Sequence, residues 1–111
     1  MTDCYQVSTT VASDEEAGRL AAALVEERLA ACVQVSGPLR SVYRWQGAVT
    51  RTTEWACTAK TSAARLADLL ARIKALHSYE QPEIVAVPIA AGDPGYLQWL
   101  RQESTPAPEQ P

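Results

Sequence analysis

Several features that would assign this chain of 111 residues to a common class are missing from its sequence. No apolar run approaches the ~20 residues of a membrane-spanning helix. The first ten residues, MTDCYQVSTT, lack the basic-then-apolar order of a signal peptide. Lysine and arginine are scattered and the formal net charge is −3, unlike the clustered basic surface that binds phosphate backbones. We therefore expect a cytoplasmic protein without a membrane or nucleic-acid partner.

Cysteine and histidine are also scarce. The three cysteines, Cys4, Cys32 and Cys57, are odd in number and have no CxxC spacing, which argues against a disulfide framework and a preformed zinc knuckle. We expect three reduced thiols. The only histidine, His77, opens the segment HSYEQPE, which gathers an imidazole, a phenol and two carboxylates within seven residues.

The hydrophobic pattern predicts the order β-α-β-β-α-β followed by a short helix. This is the split βαβ plan of an α+β, ferredoxin-like sandwich, with both main helices on one face of an antiparallel sheet. We expect one domain over residues 1–103 and a disordered, Pro-rich tail over 104–111. The predicted elements cover residues 5–11, 13–29, 31–45, 49–61, 62–76 and 84–90, with the short helix starting at Pro94.

The first helix has both a start signal and a buried stripe. Ser13 with Glu16 three residues later predicts a capping box, in which each side chain binds the other residue's backbone amide. Helical spacing predicts burial of Ala17, Leu20, Ala21, Leu24 and Val25.

The predicted β-hairpin is too long for a domain of this size. Residues 31–45, fully extended, would span roughly 50 Å at ~3.3 Å per residue, whereas a compact chain of this length is about 35 Å across. The hairpin must bend at Gly37-Pro38 or extend beyond its own domain. Because it carries Tyr43, Trp45 and Trp55, a neighbouring subunit could cover it, and we expect a closed homo-oligomer.

Three candidate site residues each have two interpretations. His77 is either a helix C-terminal residue favoured by the helix dipole or a ligand or acid–base residue, its ring oriented by Glu80. Cys32 is either a small strand hydrophobe or a soft ligand for copper or zinc where subunits meet. Lys60 is either solvated or part of a pocket. A helix of about 21 Å separates Lys60 from His77, so only an interface could unite them.

Five fragments, ERLAACVQV, SVYRWQG, TEWACTAKT, HSYEQPEIVAVPI and GYLQWL, occur in the order and spacing of one family. Over residues 4–101 the chain resembles the CutA divalent-cation tolerance proteins. The resemblance implies a cytoplasmic homotrimer of ferredoxin-like subunits, similar in architecture to the PII signalling proteins. It also implies a part in tolerance of copper and other divalent metals, and a pocket between subunits.

The resemblance marks candidate site residues. For a metal ion these are Cys32, His77 and Glu80, and for a small molecule they are Lys60, Tyr43, Trp45 and Tyr79. The other marked positions are Gly47, Glu54, Thr61, Pro82, Glu83, Tyr96 and Trp99. No cofactor is implied as obligatory, although copper or another divalent ion could bind.

Three positions depart from the family pattern, and one of them is Gln81, which replaces a usual apolar residue. Ser78 stands where proline is usual, which predicts a looser backbone there. Arg44 replaces the second aromatic residue of the hairpin tip.

Three functions therefore compete. The first is a trimeric metal-binding protein. The second is a PII-like sensor that binds an anionic metabolite through Lys60 and Arg44, although no glycine-rich phosphate loop supports it. The third is an enzyme with His77 as base and Tyr79 as acid. Because no nucleophile or substrate motif accompanies these residues, we expect that the protein is not an enzyme.

Overall fold

The computed structural model describes residues 3–106 of the chain. Within that range, no helix is long and apolar enough to cross a membrane. Four strands and three helices follow one another as β1 (Cys4–Val11), α1 (Asp14–Glu26), β2 (Cys32–Trp45), β3 (Ala48–Ser62), α2 (Ala63–Leu76), β4 (Ile84–Pro88) and α3 (Pro94–Glu103).

The strands form one sheet in the order β2-β3-β1-β4, and every neighbouring pair is antiparallel. This order confirms the predicted α+β, ferredoxin-like architecture. Helices α1 and α2 cover one face of the sheet and enclose the main core. The largest fully buried side chains of that core are Leu24, Leu69, Ile73, Val7 and Val11.

Helix α1 begins as predicted but ends earlier. The Ser13 hydroxyl accepts a hydrogen bond from the Glu16 amide at 3.1 Å, whereas the Glu16 carboxylate binds elsewhere, so only half of the capping box forms. Arg28 takes a left-handed conformation with φ 59°. The Leu29 amide then donates back to the Leu24 carbonyl at 3.0 Å, which closes a Schellman motif and ends the helix three residues before Leu29.

The predicted buried stripe of α1 is correct except at its edge. Ala17, Leu20 and Leu24 are buried, but Ala21 is only half-buried and Val25 is 41% exposed. Because α1 packs against the sheet through a narrow stripe, a side chain one position past Leu24 turns toward solvent.

Helix α3 packs against the end of the opposite face of the sheet. Its Leu100 is fully buried, and the Ser62 hydroxyl donates to the Ser104 carbonyl at 3.1 Å. The Arg28 guanidinium donates to the Thr105 carbonyl at 2.6 Å. These contacts hold Ser104 and Thr105, at the start of the predicted tail, against the domain. Residues 107–111 of the predicted tail lie outside the described residues.

The hairpin both bends and extends beyond the domain. The register of β2 against β3 shifts between Ser36 and Leu39, where the Trp55 ring covers Gly37 so closely that an added Cβ would lie 2.5 Å from its Cδ1 atom. Trp55 is thus packed against the core and is not one of the exposed aromatic residues, contrary to expectation. At the tip, Gln46 and Gly47 both have positive φ, as the expected tight hairpin turn requires.

Strand β1 ends opposite Trp55, so residues 39–45 and 48–54 pair only with each other. We call this segment the ribbon. It gives the molecule a longest dimension of 52 Å and a radius of gyration of 15.0 Å, against about 13 Å for a compact chain of this length.

Cys57 makes the stability of the fold depend on pH in the alkaline range. Its side chain is 1% exposed and its Sγ lies 3.6 Å from the Ala17 carbonyl oxygen. Burial, with a smaller contribution from the Glu16 charge, raises its pKa from 9.0 to about 11. The neutral thiol therefore stabilises the fold fully below pH 9, and this contribution is lost as the pH rises from 9 to about 11.

We expect wild type to lose about 2–3 kcal/mol more unfolding free energy than Cys57→Ala between pH 8 and pH 11, at ~1.4 kcal/mol per pKa unit. Urea denaturation at both pH values measures this difference. Cys32→Ala controls for removal of a less buried thiol. Parallel pH dependence in wild type and Cys57→Ala would contradict the assignment.

Candidate functional site

His77 ties the loop after α2 to the end of β1. Its Nδ1 lies 3.0 Å from the Tyr79 backbone amide, and its Nε2 lies 2.8 Å from the Thr10 carbonyl oxygen. Because the amide can only donate, Nδ1 is the acceptor, and Nε2 carries the proton that Thr10 accepts. Strand β4 pairs with β1 only as far as Thr9, so the imidazole binds a backbone group just beyond that ladder.

This arrangement corrects two expectations about His77. Within residues 3–106, no hydrogen bond joins His77 to Glu80; the backbone orients the ring instead. Both ring nitrogens are also occupied, so the ring cannot bind a metal or accept a proton without giving up the Tyr79 amide. The geometry does not fit a general base.

Ser78 ties the same loop to α1. Its hydroxyl lies 2.9 and 3.0 Å from the two carboxylate oxygens of Glu16, and its backbone amide donates to the same group at 3.4 Å. Proline could make neither contact, because it lacks both the hydroxyl and the amide hydrogen. The prediction that Ser78 loosens the backbone is therefore wrong.

Tyr79 ties the loop to the ribbon. Its hydroxyl donates to Glu54 Oε2 at 2.9 Å, and its ring lies 4.9 Å from the His77 ring. Burial first, and then the hydrogen bond and charge of Glu54, raise the pKa of Tyr79 far above its usual value. The phenol is therefore a neutral donor that holds Glu54, which makes it a poor catalytic acid.

A cleft of about 710 Å³ lies between the ribbon and the loop. Its aromatic side chains are Tyr43 and Trp45 of the ribbon and Tyr79 of the loop. Its charged lining residues are Glu54, Glu80 and Glu83, and no lysine or arginine within residues 3–106 lines it. The volume is that of a small-molecule site.

The sequence-predicted site residues fall into two groups. Tyr43, Trp45, Tyr79 and Glu80 line the cleft. His77 is not a lining residue, but it accepts a hydrogen bond from the backbone amide of Tyr79. Cys32 and Lys60 pair with each other at the opposite end of the sheet. Lys60 is six residues from Glu54 along β3, which is about 20 Å in a strand.

At that opposite end, the Lys60 ammonium donates to Gln34 Oε1 at 2.6 Å. Cys32 lies close to α3, since burial first and the Cys32 charge second raise the pKa of Tyr96. The structure therefore agrees with the expectation that Lys60 and His77 do not share a pocket within one subunit.

Glu54 is the main site residue that reasoning from the residues did not assign. It is only 6% exposed. A charged residue beside Trp55 in the half-apolar strand TTEWAC was the available signal, because buried carboxylates are rare unless they are paired.

The sequence and the fold both match a known protein family. The family model for the CutA1 divalent ion tolerance protein matches residues 5–103. The divalent-cation tolerance protein CutA of Thermus thermophilus is 51% identical over 98 residues, which is 88% of this chain and 95% of that protein. A solved Thermus thermophilus structure superposes with a TM-score of 0.89 at 49% identity, covering 92% of this chain and 99% of the other. This chain belongs to the CutA1 divalent ion tolerance family.

More distant relatives share the fold. CutA1 from Oryza sativa superposes with a TM-score of 0.90 at 36% identity, covering 94% of this chain and 95% of that structure. A protein from Archaeoglobus fulgidus, named a periplasmic divalent cation tolerance protein, superposes with a TM-score of 0.88 at 36% identity. The match covers 92% of this chain and 99% of that structure. The rice protein named chloroplastic CutA 1 is 39% identical over 88% of this chain, which spans 55% of its length.

These family and protein names describe tolerance of divalent cations and assign no reaction. Membership of this family associates the chain with divalent-cation tolerance. Among residues 3–106, however, no group of three or more His, Cys, Asp or Glu side chains could hold a metal ion. Within one chain the donors do not fit a complete metal site, and Cys32, His77 and Glu80 do not come together.

A structural role for His77 predicts a stability effect that is independent of metal. In buffer containing EDTA, His77→Phe should lower the unfolding free energy by about 1–3 kcal/mol, because it leaves the Thr10 carbonyl and the Tyr79 amide without their side-chain partner. Denaturant titration measures the change.

Ser78→Ala is the matched control for this loop. It removes an exposed contact, so it should lower the unfolding free energy by less than His77→Phe does. Wild-type stability of His77→Phe in EDTA would show that the imidazole does not hold the loop.

Proposed function

We propose that the protein is a cytoplasmic homotrimer that supports tolerance of copper or another divalent cation by binding the ion at or near a cleft where subunits meet. The match to the CutA1 family over residues 5–103 carries the proposal. The cytoplasmic location rests on the sequence, because the relatives' names give different compartments, the chloroplast and the periplasm.

The ribbon supports the homotrimer. Val42 is 62% exposed, Val49 is 51% exposed and Trp45 is 43% exposed, on a segment whose two outer edges pair with no other strand of its own chain. Val85 and Val87 of β4 are also about half exposed. Unpaired strand edges with apolar side chains favour association with further copies.

The proposed metal ligands are Cys32, His77 and Glu80. Because they are apart within one chain, a complete site requires contributions from more than one copy. Cys32 is the strongest of the three, since it is partly exposed and a thiolate suits copper and zinc. His77 would first have to release the Tyr79 amide.

The alternative is a trimeric small-molecule sensor similar to the PII proteins. The size and aromatic walls of the cleft favour a small molecule. The positions of the expected anion-binding residues do not favour an anionic ligand, because neither Lys60 nor Arg44 lines the cleft.

The trimer should be sensitive to charge on the ribbon. Sedimentation velocity at micromolar concentration should give a species of about three times the 12.0 kDa chain mass. Val42→Lys should shift it toward single subunits, because a buried charge at an interface is costly.

Val25→Lys, on the exposed side of α1, is the matched control and should remain associated. A folded single subunit in wild type would reject the trimer.

Metal binding is tested by calorimetric titration of wild type, Cys32→Ser, His77→Ala and Glu80→Gln with copper and with zinc. We expect Cys32→Ser to weaken binding most, by tenfold or more, which is about 1.4 kcal/mol. Affinity unchanged in all three variants would reject these ligands, and no binding by wild type would reject metal binding as the function.

A further inference from the structure

Among residues 3–106, no ion pair balances the charge of Glu54. Its side chain is buried, it accepts one hydrogen bond from Tyr79, and none of the ion pairs among residues 3–106 includes it. A buried carboxylate with one neutral donor is costly, because a charge removed from water needs a partner of opposite sign. Its surroundings therefore indicate a cationic partner.

The cleft into which Glu54 faces has the matching composition. Tyr43, Trp45 and Tyr79 provide aromatic faces, whose negative quadrupole attracts cations. Glu80 and Glu83 add further negative charge, and the lining has no basic side chain to oppose it. Aromatic faces and a buried carboxylate together recognise positively charged nitrogen.

We propose that this cleft binds a small organic cation, an amine or quaternary ammonium compound, with its charged nitrogen between Glu54 and the aromatic side chain of Tyr43, whose hydroxyl lies 3.4 Å from Thr52 Oγ1, two residues from Glu54. The ligand occupies a volume suited to a small organic molecule. The inference rests on the small-molecule alternative above and is independent of metal binding.

Two other ligand classes fit the cleft less well. An anionic metabolite would meet three glutamates and no cation of the same chain. A divalent metal ion needs several ligands within bonding distance of one point, whereas these carboxylates do not form such a group. An organic cation needs only one carboxylate and aromatic contact, which are both present.

Calorimetric titration with choline and with 1,4-diaminobutane tests the inference directly, at constant ionic strength. The uncharged control is 3,3-dimethylbutan-1-ol, which has the shape of choline with carbon in place of nitrogen. We expect saturable binding of at least one cation and at least about tenfold weaker binding of the uncharged analogue, since cation–π attraction and the charge pair are lost.

The variants locate the site. Glu54→Gln, which can still accept from Tyr79, should weaken cation binding about tenfold or more, and Tyr43→Leu should also weaken it. Glu26→Gln removes an exposed carboxylate of α1 and should bind as wild type does. No saturable binding of either cation, or equal binding by wild type and Glu54→Gln, would overturn the proposal.

Thermal denaturation without ligand separates an organic cation from a lysine or arginine supplied by a second copy. If the carboxylate lacks a partner, Glu54→Gln should raise the melting temperature, because it removes an uncompensated buried charge. A lower melting temperature would indicate a basic side chain of another copy in the cleft and would overturn the proposal.

The same titrations distinguish this inference from metal binding. Cys32→Ser should keep the choline or diamine affinity, and Glu54→Gln should keep the copper and zinc affinity. Loss of one activity with retention of the other shows which proposal has failed.

Discussion

The pairing of β2 with β3 beyond the end of β1 is the constraint on which the rest of the structure depends. It creates a two-stranded ribbon that, among residues 3–106, pairs with no third strand. The near side of the ribbon forms one wall of the cleft. The exposed valines and aromatic residues of the ribbon favour association with further copies of the chain. Cleft and association surface thus have one structural origin.

The second wall depends on three consecutive side chains of HSYEQPE. His77 binds the backbone of β1, Ser78 binds Glu16 of α1, and Tyr79 binds Glu54 of β3. Each contact joins the loop to a different element, so the loop is fixed in position although it has no regular structure. The segment therefore has a structural function, and the ligand binding that we propose depends on where it holds Tyr79 and Glu80.

The sequence was most informative where local chemistry decides. Alternation, helical spacing and the Gln46-Gly47 turn predicted the elements and their order, and the motifs predicted the family. It was less informative where a side chain had several partners to choose from. The Ser78–Glu16 contact and the Thr10 contact of His77 join residues far apart in sequence, so spacing alone favoured the near neighbours Ser13 and Glu80.

The sequence by itself determined the ferredoxin-like plan, the unusual length of the hairpin and the aromatic residues it carries, because periodicity and strand length are properties of contiguous residues. Only the tertiary structure decided that His77 binds backbone groups through both ring nitrogens and that Cys32 and Lys60 lie at the end of the sheet away from the cleft. It also decided that Glu54 is buried in the cleft with no ion-pair partner among residues 3–106. Burial and charge balance depend on which distant segments meet, and that is settled by packing.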